Sequence, residues 1–202
     1  LVPLYTAKMS VESGDYGVVT NVYAWTAVLL VVLTFGFETT FFRFASKENA
    51  NVSKVFSMSL QVIGALCGIF LIAVFCFLPS IARTLGYELH PEFIGMMAVV
   101  VALDALQAIP FGLLRFQKRP IKFASLKLLN IFTNIALNLF VFVALPGLYT
   151  KNPDLFGSIY FPDNQAFYVF FINLVCTASI TLFLIPELRM FRITTDKGLL
   201  KE

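Results

Sequence analysis

Five stretches of this chain are dominantly apolar for twenty residues or more, at about 16–45, 53–79, 92–116, 120–145 and 165–188. A helix needs about 20 such residues to cross ~30 Å of hydrocarbon, so each stretch is long enough to span a bilayer. The 202 residues are 58% hydrophobic and 13% charged, against about 25% charged in ordinary soluble domains. A core of this size cannot hide so much apolar surface, and lipid must cover part of it. The expected fold is all-α, a polytopic transmembrane helix bundle of five full spans. Leu1–Thr6 read as the last turns of a sixth span, and the other end, KGLLKE, stops just after a span. The chain is therefore expected to be a piece of a longer protein, with residues 1–202 forming one transmembrane lobe.

Turn and cap residues punctuate the spans. Ser10 and Ser13-Gly14-Asp15 precede the first, Asn51 and Ser53 the second, and Pro91-Glu92 the third. Pro120 opens the fourth and Pro146-Gly147 is expected to close it. The longest connection, KNPDLFGSIYFPDNQ (151–165), has no structure of its own in the sequence pattern.

Lysine and arginine alternate from one connection to the next, which sets the expected orientation. The six successive connections or ends hold Lys8; Arg43, Lys47 and Lys54; Arg83; Arg115, Lys118, Arg119, Lys122 and Lys127; Lys151; and Arg189, Arg192, Lys197 and Lys201. The basic-rich ones, near 46–53 and 117–119 and at the C-terminal tail, are expected to face the cytoplasm.

Polar residues inside the spans narrow the function. Asp104, Gln107, Phe111 and Arg115 stand at i, i+3, i+7 and i+11, within about 80° of one another on a helix. Pro110 removes a backbone bond beside that face. Lys127, Asn130, Asn134 and Asn138 repeat the spacing in the next span. Such stripes should face helices or water, not lipid. Counted at ~1.5 Å per residue from the inner turns, Glu38, Asp104, Asn130, Asn134 and Asn173 come at ~18–24 Å, in one mid-depth layer. Arg115 and Lys127 come nearer the inner side, at ~5 and ~14 Å. This layer is what a transport cavity needs, although Asn and Thr also serve as interhelical hydrogen-bonding groups, the favoured role for Asn138, Thr177 and Thr181. Asp104 is balanced between a functional carboxylate and an ion-pair partner of Lys127. Gly64 and Gly68, with Gln61, read as close helix packing. Cys67, Cys76 and Cys176 lie in apolar runs without CxxC spacing and are expected to be buried packing residues; His90 is a lone histidine in a connection. No metal is expected.

GFETTFFRFASKE (36–48) and LDALQAIPFGLLRFQKRPIKFASLKLLNIFTNIALNL (103–139) resemble the bacterial oligosaccharide and polysaccharide flippases of the multidrug/oligosaccharidyl-lipid/polysaccharide superfamily. The opening LVPLYTAKMSVESGDYGVVTNVYAW is similar to that family's first hairpin. The resemblance covers well over a third of the chain. It implies the N-terminal lobe of a MATE-like transporter of two six-helix lobes in the bacterial inner membrane. Its cargo would be a polyprenyl-pyrophosphate-linked oligosaccharide for surface polysaccharide such as lipopolysaccharide, moved from the inner to the outer leaflet. Arg115 and Lys127 would then meet the pyrophosphate, and Gln107, Asn130, Asn134 and Asn173 the sugars. Asp104 and Glu38 would couple transport to H⁺ or Na⁺. The expected partners are that lipid, membrane lipids and the second lobe, with no nucleic acid, no cofactor and no covalent chemistry. Cation exporters of the same superfamily favour acidic, aromatic pockets, and Arg115 and Lys127 argue against that cargo. A polymerase or acyltransferase of the pathway would need catalytic groups on an outward loop. The loop at 146–164 offers only Lys151, Asp154 and Asp163.

Overall fold

The computed structural model describes residues 2–8, 14–47, 51–151 and 164–188, and all regular structure among them is helical. Five helical segments are long and apolar enough to cross a membrane: Asp15–Ala45, Val52–Cys76, Pro91–Phe116, Pro120–Lys151 and Gln165–Phe183. All five correspond to the apolar windows, and a further short helix, α1 (Val2–Lys8), precedes them.

Two of these segments are interrupted. The first divides into α2 (Asp15–Thr34) and α3 (Phe37–Ala45) at Phe35 and Gly36, whose φ angles of 30° and 72° are both left-handed. Glycine adopts that conformation freely; Phe35 does so against a cost of ~1–2 kcal/mol for an L-residue. The fourth segment is α7 (Pro120–Leu139), a π-helical turn at Phe140–Ala144, and α8 (Leu145–Lys151). Pro146-Gly147 was expected to end this helix, and it does not. A proline clashes with the carbonyl four residues earlier. The wider π turn, in which the Leu145 N–H reaches back to the Phe140 carbonyl, accommodates that clash without ending the helix.

The other boundaries follow local chemistry. The Asn51 side chain accepts from the Lys54 N–H at 3.2 Å and opens α4 (Val52–Cys76). Next comes α5 (Leu78–Leu85), ended by Gly86 at φ 77°. Proline stands at the start of both α6 (Pro91–Phe116) and α7, where its missing N–H costs nothing. The Asn164 side chain accepts from the Phe167 N–H at 3.3 Å at the head of α9 (Gln165–Phe183), which α10 (Ile185–Leu188) follows.

At the centre of the bundle is α6, packed against α2, α3, α4, α5, α7 and α9. In its most apolar window 72% of residues are buried, against 11% for α4. A helix apolar all round belongs in such a surrounded position, and the small buried residues Gly95, Ala98, Ala102, Ala105 and Gly112 let neighbours approach. Towards its start, Phe93, Met97 and Val100 join residues of α2 and α9; towards its end, Ile109 and Leu113 join Phe41 and Phe56. The outer faces carry exposed apolar side chains such as Val31, Val32, Ile69, Ile72, Ile131 and Phe132, as lipid contact requires.

Two packing expectations change, at Gly68 and Cys76. A Cβ at Gly64 would meet Leu106 of α6 at 3.8 Å, as close packing requires, but nothing approaches Gly68 within 4 Å. Cys67 and Cys176 are buried, and the Cys67 thiol donates to the Ala102 carbonyl at 3.5 Å. Cys76 is exposed: the last turn of α4 meets α6 through Phe75, whose ring lies beside Gly95, and Cys76 stands about 100° round the helix from it.

Candidate functional site

The end of α6 and the start of α7 carry the same short pattern, an aromatic residue followed four positions later by a cation: Phe111 and Arg115 on α6, Phe123 and Lys127 on α7. Residues at i and i+4 share a helix face. The turn between the helices is tight. Lys118 adopts a left-handed φ of 53°, and the Arg119 N–H bonds to the Leu114 carbonyl at 3.0 Å, the helix-closing arrangement usually made with glycine. The two patterns therefore face each other and exchange partners. The Arg115 guanidinium lies 5.2 Å from the Phe123 ring centre, and Lys127 Nζ lies 4.2 Å from that of Phe111. The two rings meet edge to face, 5.5 Å apart. Each cation gains ~0.5–2 kcal/mol from the ring's negative face, more as water is excluded.

Arg115 has a second partner, the carboxylate of Glu38 in the first turn of α3. A side chain at Gly112 would meet Glu38 Cγ and the Phe41 ring at 3.5 Å, so this glycine leaves the room in which α3 lies against α6. The Arg115 and Glu38 side chains are 46% and 34% exposed, so both are open to an incoming group. Lys127 is exposed and makes no close ion pair among the described residues; its charge acts on Asp104.

Asp104 is half-buried, with the Thr177 side chain as hydrogen-bonding neighbour and Tyr23 of α2 nearby. One turn on, Gln107 is buried and ties α6 to α9. Its amide nitrogen donates to the Thr177 carbonyl and to Thr181 Oγ1, each at 2.9 Å. Asn138, 1% exposed, donates to the Asn134 carbonyl at 2.8 Å and to Asn134 Oδ1 at 3.1 Å, and accepts from the Tyr5 hydroxyl at 2.7 Å. Cys176 is a further neighbour of Asn134. A polar seam thus runs through the bundle from Tyr5, past Asn138, Asn134 and Asp104, to the crossed cations.

The residues singled out in the sequence separate into three groups. Asp104, Arg115 and Lys127 lie along this one seam. Gln107, Asn134 and Asn138 are also in it, engaged in bonds within the protein, as are Thr177 and Thr181. Asn130 and Asn173 are half-buried, and no described hydrogen bond engages their side chains. Glu38 departs from its expected depth. It lies against Gly112 and Arg115, roughly 12 Å along α6 from Asp104 at ~1.5 Å per residue. The count began at an inner turn near residue 50, but α3 already ends at Ala45, which leaves Glu38 only about 10 Å from the end of its own helix. Glu38 and Asp104 therefore do not form one carboxylate layer.

Other residues carry the site without having been singled out. Phe123, Tyr5 and Tyr23 look in sequence like ordinary apolar filling, and only the repeated aromatic-x-x-x-cation spacing marked Phe123. A further ion pair carries no signal in the sequence: half-exposed Lys122 at the head of α7 bonds the buried Glu187 in α10. His90 hydrogen-bonds Glu92 at 2.9 Å and stacks on Phe93, a local contact at the head of α6. Among the described residues no group of His, Cys, Asp or Glu is placed to hold a metal. Asp154, Asp163 and the tail cations Arg189, Arg192, Lys197 and Lys201 lie outside the described residues.

An all-α bundle with five membrane-length helices and a polar seam along its central helix defines a multi-pass membrane protein. Residues 11–150, well over half of the chain, match the family model described as polysaccharide biosynthesis protein, and the chain belongs to that family. No curated protein and no solved structure matches it.

Proposed function

We propose that this chain is one lobe of a flippase that moves a polyprenyl-pyrophosphate-linked oligosaccharide from the inner to the outer leaflet of the bacterial cytoplasmic membrane. The observation that carries the reading is the crossed pair of cations, Arg115 on Phe123 and Lys127 on Phe111, held on the face that also bears Asp104. Two cations held on aromatic rings, both open to an incoming group, form a site suited to a diphosphate. Asn130 and Asn173 offer amide groups to sugar hydroxyls, and Gln107, Asn134 and Asn138 brace the helices that present them. Asp104, between Thr177 and the Lys127 charge, is the group through which H⁺ or Na⁺ would couple to transport. By the distribution of lysine and arginine, the connections near 46–53 and 117–119 and the tail face the cytoplasm, so the crossed cations meet the cargo from that side. A second lobe closes the cavity, and rocking of the two alternates access.

The same cations disfavour export of cationic drugs, the neighbouring activity of the superfamily. The decisive experiment uses cells lacking the complete gene and asks which leaflet holds the lipid-linked oligosaccharide. Intact units accumulating on the cytoplasmic leaflet support a flippase. Units that cross normally but stay unpolymerised or unmodified overturn it in favour of a membrane enzyme of the same pathway.

A further inference from the structure

The Glu38–Arg115 pair occupies the place where an anionic cargo would bind. Arg115 is held from one side by the Phe123 ring, which engages its face and leaves its N–H edges for an acceptor. Glu38 supplies that acceptor. A carboxylate and a phosphate make the same kind of two-point contact with a guanidinium, so they compete for it. Glu38 can leave by its own side chain, which is 34% exposed, while its helix stays anchored by Phe41, fully buried against α4 and α6. The approach of that helix to α6 is permitted by the bare backbone at Gly112. Lys127, the other cation of the crossed pair, has no carboxylate in close contact among the described residues.

Resting on the reading of this site as a diphosphate site, we propose that Glu38 is a resident counter-ion of Arg115, which the diphosphate of the cargo displaces. In the empty site Glu38 neutralises Arg115 and screens out weakly charged lipids. A diphosphate, with more charge than a single carboxylate and a second cation in Lys127 to engage, replaces Glu38 on the guanidinium. The released carboxylate turns towards solvent by rotation of its own side chain, with α3 still held by the buried Phe41. The exchange involves no bond-making beyond hydrogen bonds and ion pairs, so one anion simply takes the place of another.

The test measures binding of two probes, farnesyl diphosphate and inorganic pyrophosphate, to the purified full chain in nanodiscs of zwitterionic lipid. The wild-type chain is compared with Glu38→Gln, Arg115→Gln and Lys127→Gln, and helicity and thermal midpoint are checked for each. A half-exposed ion pair contributes up to ~1 kcal/mol, so removing the competitor should tighten diphosphate binding by up to about fivefold. Losing Arg115 should weaken it tenfold or more. Binding in Glu38→Gln that is unchanged or weaker, in a folded protein, overturns the counter-ion role while leaving the diphosphate site standing. Absence of binding in every form overturns both this inference and the assignment of the cations to the cargo. Farnesyl diphosphate binding better than pyrophosphate identifies a lipid-borne diphosphate as the competitor; equal binding identifies the free anion's chemistry as sufficient.

Discussion

Gln107 is where a polar residue in a membrane helix can be assigned to structure and tested as such. Its amide nitrogen makes two interhelical bonds of 2.9 Å, to the Thr177 carbonyl and to Thr181 Oγ1, and the side chain is 6% exposed. Interhelical hydrogen bonds within membranes average ~0.6 kcal/mol and reach ~1.7. Gln107→Leu keeps the side chain's length and avoids a large cavity, so the loss should be the two bonds, about 1 kcal/mol. Thr181→Val removes one acceptor, together with the Thr181 hydroxyl's own bond to the Thr177 carbonyl at 2.9 Å. In the double mutant the effects should fall short of additivity by about 0.6 kcal/mol, the energy of the shared bond. Reversible unfolding of the full chain in mixed micelles, followed by circular dichroism, measures each corner of the cycle. Additive single effects would refute the clamp, and so would a Gln107→Leu protein as stable as wild type. Diphosphate binding should survive in Gln107→Leu, because this amide acts on α9 and not on the cargo.

Four further outcomes are expected. Lys122→Met strands the Glu187 carboxylate, 6% exposed, and should cost ~1–3 kcal/mol of stability, since Lys122 itself is 39% exposed. Adding Glu187→Leu should recover most of that loss, and denaturation midpoints of the three proteins decide it. Gly36→Ala places a Cβ at φ 72° with no steric contact to blame; it should cost ~1–2 kcal/mol through backbone conformation alone, and a neutral result would mean the turn relaxes. In the complete protein, Lys127→Ala should reduce export of the anionic lipid far more than it reduces the folded amount in the membrane, whereas Asp104→Asn should alter the H⁺ or Na⁺ dependence of transport; normal surface polysaccharide in the first, or an unchanged ion response in the second, would remove that residue from the proposed role.

Sequence alone determined that this is an all-helical membrane protein and which residues are its spans, because both depend on local quantities. Twenty apolar residues either cover the hydrocarbon or do not, and a proline at a helix start acts through its own backbone. It also placed Asp104, Gln107 and Arg115 on one face of α6 and Lys127, Asn134 and Asn138 on one face of α7, since helical spacing is a property of a single segment. Which face meets which neighbour is a different kind of fact. That α6 is the central helix, and that Arg115 and Lys127 exchange rings with Phe123 and Phe111, depended on how five helices share their surfaces. The π turn at 140–144 carried α8 past Pro146, and the end of α3 at Ala45, short of the turn near residue 50, left Glu38 closer to its helix end than Asp104. Small changes of backbone angle displace everything beyond them, so regular helical counting cannot anticipate their effect on side chains. Tertiary packing decided which polar groups bond one another and which stay open, because a hydrogen bond depends on partners brought together from distant parts of the chain.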